Sequence, residues 1–412
     1  MPKLGVAAIP MVQNLHNIEC IAALKPSFEA VFAAKAFSPF CSEVLNFLQS
    51  LSATLIQSVD AKAYPDIVTF AFWCRRSALL AMKAQYESKE IRLGRGVVFH
   101  ITPSNVPVNF AYSLVVGLLA GNSNIVRVPT KEFPQVDIIC AEICKLLKND
   151  EFSVLVNHVA LIRYEHDSDL TAYFSKNADV RIIWGGDAAI NEIRKAPLQA
   201  RSFDITLADR YSLCVINADA YIAEKDPEKV ALGFYYDTYL FDQNACTAPH
   251  LVVWIGSENN IIVAKERFWS ALHKLVVEKY ILQPVLAVDK YSSVCNLSIQ
   301  KEGVRKVRMP DNLIIRVEIN SLPQDVDEFR CKAGYFLEYS AKALDEILKP
   351  VNRKYQTLSY YGFQPNILRE LITNHRPCGI DRIVPIGRTT DFSLKWDGYD
   401  LIYTLSRVCS IV

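Results

Sequence analysis

The stretch that decides the fold is residues 96–128, which read GVVFHITPSNVPVNFAYSLVVGLLAGNSNIVRV. A short apolar run at 97–101 is ended by two prolines, a helical apolar pattern follows over 110–120, and a second apolar run occupies 125–128. This strand, helix and strand are apolar on all sides, which is typical of a βαβ unit in a parallel sheet, because both faces of such a sheet are covered. We therefore expect an α/β protein.

The chain on both sides of this unit continues in helices and strands. Upstream, apolar residues at three- and four-residue spacings predict helices over 28–37, 44–55 and 67–80. Downstream, the pattern predicts a helix over 136–147, a strand over 159–163, a helix over 170–175, a strand over 180–184, a helix ending at 195, a strand over 212–216, a helix over 227–240 and a strand over 251–254. The alternation indicates two α/β domains that follow a helical N-terminal part.

The composition excludes several classes of protein. The 412 residues include 45 Lys and Arg against 44 Asp and Glu, so no global basic field favours a nucleic-acid partner. Hydrophobic residues make up 51% of the chain, which is too apolar for a disordered protein. Glycine is scarce, at 15 residues, and neither a G-x-G-x-x-G nor a P-loop motif occurs. A standard Rossmann dehydrogenase and a P-loop enzyme are therefore disfavoured.

The cysteines and the apolar segments bear on location. The eleven cysteines are odd in number and form no Cys-x-x-Cys pair, and Cys140 and Cys144 lack a nearby histidine pair for zinc. We therefore expect a cytoplasmic protein without a metal site, and we find no pattern typical of a secretory signal. The apolar segment at 108–120 is shorter than the about 20 residues that cross a bilayer, so a buried helix is expected instead of a membrane span.

The loop after the first predicted strand contains a candidate oxyanion-binding residue. Prolines on both sides of Asn105 restrict the loop backbone, and a carboxamide N–H that is held rigidly can stabilise an oxyanion. The alternative is that Asn105 caps the following helix, and the strong preference of asparagine for helix N-termini makes that the more frequent outcome. Both roles stay open at this point.

Two further strand ends carry residues that suit a nucleotide. Arg127 closes a strand, and Lys131 follows shortly after it. Cations at the carboxyl end of a parallel strand suit a ribose or phosphates, although two solvated surface cations are an equally common explanation. The turn Gly185-Gly186-Asp187 opens a helix directly after a strand, which is where doubly wound sheets commonly hold phosphates.

Cys246 is the candidate nucleophile. It lies in the polar segment 241–249, between a predicted helix and a predicted strand, where a thiol can face a cleft. Most cysteines are buried and inert, so a purely structural role is the alternative. His250 is a candidate partner, although closeness in sequence does not bring its ring within hydrogen-bonding distance of the thiol.

Gly94-Arg95-Gly96 precedes a strand and is therefore not a dinucleotide fingerprint.

Five segments of the chain occur in the order of motifs known from one superfamily. They are SNVP at 104–107, GNSNIVR at 121–127, WGGD at 184–187, the loop at 241–249 and the tail at 381–407. They resemble the aldehyde dehydrogenase superfamily, and more closely its LuxC-type long-chain fatty-acyl-CoA reductases, over about residues 90–412. The first three resemble the superfamily's Trp-Asn-Phe-Pro loop, Gly-Asn-x-x-x-x-Lys strand and Phe-Thr-Gly-Ser turn. The last two resemble the LuxC-type nucleophile loop and C-terminus.

The resemblance implies an aldehyde-dehydrogenase-like α/β fold with two Rossmann-like three-layer αβα domains, one that binds the cofactor and one that is catalytic. It implies that Cys246 is the nucleophile and that Asn105 and the Cys246 N–H form the oxyanion hole. It also implies a dinucleotide site made of Thr102, Pro103, Arg127, Thr130, Lys131, Gly185, Gly186 and Asp187.

Two departures from the superfamily pattern define the expected reaction. Where aldehyde-oxidising members carry Glu-Leu-Gly-Gly-Lys, this chain reads LADRY at 207–211, so the glutamate that activates a hydrolytic water is missing. Without that base, an acyl thioester on Cys246 resists water and can accept hydride. Thr130 and Lys131 stand where NAD-preferring members place an acidic residue, which favours NADP(H), although Glu132 follows them. We therefore expect NADPH-dependent reduction of acyl-CoA or an acyl-protein thioester to an aldehyde.

The chain is expected to consist of four parts, and two alternative functions stay open. We predict an N-terminal helical part at 1–90, an NADP-binding domain at 91–207, a catalytic domain at 208–370 and a C-terminal segment at 371–412 that returns to the domain interface. The expected partner is acyl-CoA or an acyl-donor protein, and a homo-oligomer is left open. Two other functions stay open: an NAD(P)-dependent aldehyde dehydrogenase, and a nicotinamide-independent cysteine acyltransferase or thioesterase that uses Cys246 and His250.

Overall fold

The computed structural model describes residues 18–21, 27–103 and 106–411, and these residues form two α/β units. The first unit contains the described residues up to Ala208 and those from Tyr399 onward, and the second unit is Asp209–Gly398. The two predicted parts 1–90 and 91–207 therefore belong to one unit.

The first unit is built on a six-stranded sheet. The strands of this unit up to residue 207 are β1 (Glu19–Cys20), β2 (Ile91–Gly94), β3 (Val97–Ile101), β4 (Ser123–Arg127), β5 (Val159–Arg163), β6 (Val180–Trp184) and β7 (Phe203–Leu207). All of them except β2 belong to the six-stranded sheet. The sheet order is β1-β5-β4-β3-β6-β7, and all neighbouring strands are parallel except β1, which is antiparallel to β5. The strand order reverses at β3, as in a doubly wound fold. The predicted α/β class is confirmed.

Helices surround this sheet. They are α1 (Phe28–Phe32), α2 (Ser42–Gln57), α3 (Val59–Lys62), α4 (Pro65–Trp73), α5 (Arg76–Ala84), α6 (Asn109–Leu119), α7 (Pro134–Leu147), α8 (Ser168–Lys176) and α9 (Asp187–Ile193), with a 3-10 helix at Asp150–His158. The single helix predicted over 67–80 is wrong, because the chain breaks between α4 and α5. Arg75 is extended there, and the break lets both Phe70 and Leu79 be buried. The helix predicted over 28–37 ends early, at Phe32.

The second unit is built on a seven-stranded sheet. Its strands are β8 (Tyr211–Asn217), β9 (Pro249–Ile255), β10 (Val304–Arg308), β11 (Ile315–Ile319), β12 (Tyr335–Ala341), β13 (Tyr355–Tyr361) and β14 (Arg382–Pro385), and a two-residue strand β15 (Lys395–Trp396) lies outside the sheet. The order is β10-β11-β12-β9-β8-β13-β14, in which only β10 is antiparallel to its neighbour. Because the strands β12, β9, β8 and β13 are parallel neighbours, the loops that precede them share one edge.

The helices of the second unit are α10 (Ala218–Ile222), α11 (Pro227–Thr238), α12 (Glu258–Lys279), α13 (Pro284–Gln300) and α14 (Pro365–His375), with 3-10 helices at Val326–Phe329 and Leu344–Leu348. The helix predicted over 227–240 ends two residues early, at Thr238. The predicted boundary between residues 370 and 371 falls inside α14.

The last residues of the chain belong to the first unit. They form β16 (Tyr399–Asp400), α15 (Leu401–Leu405) and β17 (Ser406–Cys409), and β17 pairs antiparallel with β2. The buried amide of Asn122 donates from Nδ2 to the Leu405 carbonyl at 3.0 Å and accepts the Arg95 N–H at 2.7 Å. The C-terminus therefore completes the structure around β2 and the start of β3.

Among the described residues, no helix combines the length and the apolar character needed to cross a bilayer.

Candidate active site

Cys246 lies in the loop between α11 and β9, and the side chain of Gln243 fixes this loop. Gln243 has a left-handed backbone (φ 58°) and is almost fully buried. Its Nε2 donates to the carbonyls of Pro249 and Tyr335, and its Oε1 accepts the N–H groups of Gly334 and Tyr335, at 3.0–3.2 Å. Every hydrogen-bonding position of the amide is used, which ties the loop to the start of β12.

The backbone of Cys246 is held by Ser212, at the start of β8. The Ser212 hydroxyl donates to the Cys246 carbonyl at 2.6 Å and accepts the Thr357 N–H at 3.2 Å. The nucleophile candidate therefore sits at the amino ends of β8, β9 and β13, on the edge where the loops that precede these strands lie.

The Cys246 side chain faces an amide and two carboxyl groups. The residue is half-buried, and Gln356 Nε2 donates to its sulfur at 3.8 Å. Burial, followed by the negative charges of Asp397 and Asp209, raises the pKa of the Cys246 thiol to about 12. Cys246 is therefore a thiol at neutral pH in the absence of substrate.

Asp397 is the nearest of these carboxyl groups in the hydrogen-bond network. Its Oδ1 accepts a hydrogen bond from Gln356 Nε2, and its side chain is 2% exposed. Arg210 Nη1 lies 3.8 Å from the same oxygen. Burial raises the pKa of Asp397 to about 6, although Gln356 and Arg210 act in the opposite direction.

His250 does not pair with the thiol. It lies within β9, with its ring stacked on Tyr211 at a centroid distance of 5.6 Å. Burial and the charge of Arg330 lower the pKa of His250 to about 3. Within the part of the chain that the structure describes, no hydrogen bond joins His250 to Cys246, and His250 Nδ1 has no hydrogen-bond partner.

In the first unit, the predicted dinucleotide residues follow three adjacent strands. Thr102 and Pro103 follow β3, and the Thr102 hydroxyl donates to the Arg127 carbonyl at 2.7 Å. Arg127, at the end of β4, donates from Nε and Nη2 to the Tyr164 carbonyl at 3.2 and 3.1 Å, and its guanidinium lies 4.6 Å from the Tyr164 ring centroid. Two of its three nitrogens are therefore already engaged.

The other predicted dinucleotide residues at this edge are partly or fully exposed to solvent. Thr130 is half-buried, and Lys131 is exposed with its Nζ 4.9 Å from the Phe133 ring centroid. Gly185 and Gly186 follow β6, and a methyl group built on Gly186 would meet no atom within 4 Å. Asp187 is exposed at the start of α9.

The sequence did not reveal every residue at the thiol. Ser212 and Gln356 carried no catalytic pattern, and Asp397 was distinguished only by its place in the tail at 381–407 that resembles the LuxC-type C-terminus. The predicted oxyanion residue Asn105 lies outside the described residues. In the described ranges, no group of three or more His, Cys, Asp or Glu side chains is arranged to hold a metal ion.

Comparisons with known proteins place these residues in a family context. The family model described as acyl-CoA reductase (LuxC) matches residues 34–297. A long-chain acyl-protein thioester reductase of Vibrio harveyi is 22% identical over 330 residues, which are 77% of this chain and 64% of that protein. One of Aliivibrio fischeri is 26% identical over 165 residues, which are 39% of this chain and 32% of that protein. The chain thus matches less than two thirds of the length of these curated relatives.

Solved structures show the same fold at low sequence identity. Aldehyde dehydrogenase 21 of Physcomitrella patens has a TM-score of 0.66 at 11% identity, with 93% of this chain and 89% of that chain covered. An NAD-dependent benzaldehyde dehydrogenase of Corynebacterium glutamicum has a TM-score of 0.62 at 13% identity, with 94% and 89% covered. The predicted aldehyde-dehydrogenase-like fold is confirmed.

Proposed function

Because the chain belongs to the acyl-CoA reductase (LuxC) family, we propose that it reduces an acyl thioester to an aldehyde through an acyl-enzyme on Cys246. The observation that carries the proposal is the placement of Cys246 on a loop held by Gln243 and Ser212, with an amide donor at its sulfur. A fixed nucleophile of this kind suits attack on a carbonyl carbon.

Cys246 forms the new S–C bond in the first half of the proposed reaction. Its own N–H and the Asn105 side chain are proposed to stabilise the oxyanion, and the loss of one such donor typically costs about 10²–10³ in rate. The thiol of the acyl donor leaves, and the acyl group stays on Cys246. The acyl donor is proposed to be acyl-CoA or an acyl-protein thioester.

The residues at the carboxyl edge of the first unit fit a nicotinamide dinucleotide. They follow β4, β3 and β6, which are neighbours where the strand order reverses, and the turn at Gly186 has open space for a phosphate. We assign to the dinucleotide the residues Thr102, Pro103, Arg127, Thr130, Lys131, Gly185, Gly186 and Asp187. When bound, the reduced nicotinamide supplies the hydride for the acyl carbon. The exposed Lys131 beside Thr130 favours NADP(H).

The surroundings of the thiol favour reduction of the acyl-enzyme over its hydrolysis, whether by a glutamate-activated water as in aldehyde-oxidising members or by a Cys-His pair. Leu207 stands at the position of the missing glutamate, and the nearby Asp209 is ion-paired with Arg330. A Cys-His hydrolase would need an imidazole that accepts the thiol proton, whereas His250 is buried against Tyr211. The acyl-enzyme is therefore expected to react with hydride and not with water.

Acyl labelling of the Cys246→Ala variant tests the proposal. With radiolabelled long-chain acyl-CoA and no cofactor, the wild-type protein should bind about one acyl group per chain, and Cys246→Ala should bind none. Cys214→Ala, which removes a thiol from the buried face of β8, is the matched control and should label like the wild type. Addition of NADPH should then release the label as aldehyde. Stoichiometric labelling of Cys246→Ala, or release as free acid, would contradict the proposal.

A further inference from the structure

The amide of Gln356 connects the thiol of Cys246 to a buried carboxyl group. Nε2 donates both to Cys246 Sγ, at 3.8 Å, and to Asp397 Oδ1. A carboxamide nitrogen has two hydrogens, so both bonds can form at the same time. The Oε1 of the same amide accepts from the Thr357 hydroxyl at 3.4 Å, which sets which end of the amide faces the sulfur.

Asp397 is held in place by backbone conformation and by an arginine. It has a left-handed backbone (φ 49°) and is followed by Gly398 (φ 76°) in the same region. Arg210 contacts both Asp397 and Asp381, and its Nε and Nη2 donate to the carbonyls of Lys354 and Tyr355 at 3.1 and 2.8 Å. One cation, fixed to the start of β13, is therefore shared by two carboxylates.

We propose that Asp397, positioned by Gln356, holds Cys246 as a thiol until an acyl thioester binds, and that the thiol and the Asp397 carboxyl titrate as one coupled pair. The inference deepens the proposed function and rests on it for the role of Cys246. A thiolate beside an ionised Asp397 would place two negative charges at one poorly hydrated site, so each group makes ionisation of the other more costly.

A thiol that shares one proton with a carboxyl group suits thioester exchange, because the thiolate attacks while the carboxyl group holds the proton. The S–H bond of Cys246 and the C–S bond of the donor break, and a new S–C bond forms on Cys246. The proton passes to the sulfur of the leaving thiol, so the step is balanced without an oxidant, a reductant or net proton uptake. The protonated thiol is also protected from oxidants, which react with thiolates.

Other charged groups near the pair shift the pKa values of Cys246 and Asp397 in the directions expected from their charges. The negative charge of Asp209 also raises the pKa of Cys246, and Asp209 is itself paired with Arg330. Asp381 raises the pKa of Asp397, and Arg210 lowers it. Asp397 stands out because it is joined to the sulfur through a single amide group.

The pH dependence of iodoacetamide labelling at Cys246, followed by peptide mass spectrometry from pH 5 to 9, tests the coupling. In the wild type, the logarithm of the rate should rise with unit slope up to about pH 6, where burial places the pKa of Asp397, flatten over about one pH unit and then rise again. Between about pH 6 and 7 the pair holds one proton, and labelling passes through the form in which Asp397 carries it, whose population is independent of pH. At higher pH the doubly ionised pair dominates the labelling.

The Asp397→Asn variant removes the charge with little change in shape. Asparagine tolerates the left-handed backbone and can still accept the hydrogen bond from Gln356. Labelling of Asp397→Asn should equal the wild type at pH 5, rise with unit slope throughout and be about tenfold faster at pH 8, which corresponds to one pKa unit of coupling.

Two further variants separate coupling from a general loss of structure. Asp381→Asn changes a carboxylate on the same Arg210, and should keep the break in the profile but shift it to lower pH. Gln356→Met removes the amide donor, and should slow labelling at pH 5 because the thiolate loses a hydrogen bond, and move the break to higher pH because Asp397 loses one as well. A wild-type profile with unit slope from pH 5 to 9, or an Asp397→Asn profile parallel to the wild type or slower, would overturn the inference.

The labelling experiment contains no acyl substrate or dinucleotide. If Cys246→Ala still accepts acyl groups while Asp397→Asn changes the alkylation profile as expected, the proposed reductase mechanism fails and the coupled pair stands. If acyl labelling behaves as expected and the alkylation profile does not, only the proposal of a coupled pair is contradicted.

Discussion

At the scale of single residues, Ser212 is the side chain that ties Cys246 to the sheet. Because its hydroxyl serves both the Cys246 carbonyl and the buried Thr357 N–H, Ser212→Ala removes the hydrogen-bond partner of one partly buried and one buried backbone group. We expect a loss of about 1–3 kcal/mol in the free energy of unfolding and a fall of about tenfold or more in the rate of acyl labelling. Denaturant unfolding and single-turnover labelling measure the two effects.

Ser359→Ala is the matched control for this prediction. Ser359 is also buried in the second-unit sheet, and its hydroxyl donates to the Leu213 carbonyl at a longer distance of 3.5 Å. We expect it to label at the wild-type rate. Equal labelling rates for Ser212→Ala and Ser359→Ala would show that the Cys246 carbonyl needs no such anchor.

At the scale of elements, the sequence predicts those strands best whose signal is local. The predicted bounds of β3, β5 and β6 agree with the structure, because each is an uninterrupted, mainly apolar run between turn-forming residues. The helix predicted over 67–80 failed, because no proline or glycine marks the break at Arg75. That break depends on how the two halves pack, which spacing alone does not encode.

The connection between β4 and α7 carries a prediction about the choice of dinucleotide. Lys131 is exposed there, whereas Arg127 is engaged with Tyr164, so Lys131 is the freer cation for a 2′-phosphate. We expect Lys131→Met to raise the KM for NADPH about tenfold or more, as for a lost hydrogen bond between charged groups, and to change the KM for NADH less than about twofold. Steady-state kinetics with both dinucleotides measures this.

Lys145→Met, on an exposed side chain of α7, is the matched control and should change neither KM. Equal effects of Lys131→Met on NADPH and NADH would mean that Lys131 does not distinguish the two dinucleotides.

At the scale of the whole molecule, the C-terminal residues are expected to be essential for the first unit. A chain that ends at Gly398 lacks the partner strand of β2, one of the two acceptors for Asn122 Nδ2 and the buried side chains of Leu401, Ile402 and Leu405. Each buried aliphatic side chain contributes about 1.5–3 kcal/mol, so the loss should reach several kcal/mol. Limited proteolysis with mass spectrometry should then show cleavage in the first unit while the second unit stays resistant.

A chain that ends at Cys409 keeps β17 and serves as the control for this truncation. Equal protease resistance of the first unit in both truncated chains would contradict the expected role of the C-terminus.

The amino-acid sequence was sufficient to predict the α/β class, most strands and helices between residues 97 and 254, and the loop that carries Cys246, because hydrophobic periodicity and turn-forming residues are local properties of the chain. The surroundings of the thiol depend on the three-dimensional fold. Gln356, 110 residues from Cys246, reaches the sulfur because β8, β9 and β13 are neighbours in the sheet, and Asp397 contacts the same Gln356 amide. Strand order and the path of the segment after β14 follow from packing between distant parts of the chain, which no local pattern records.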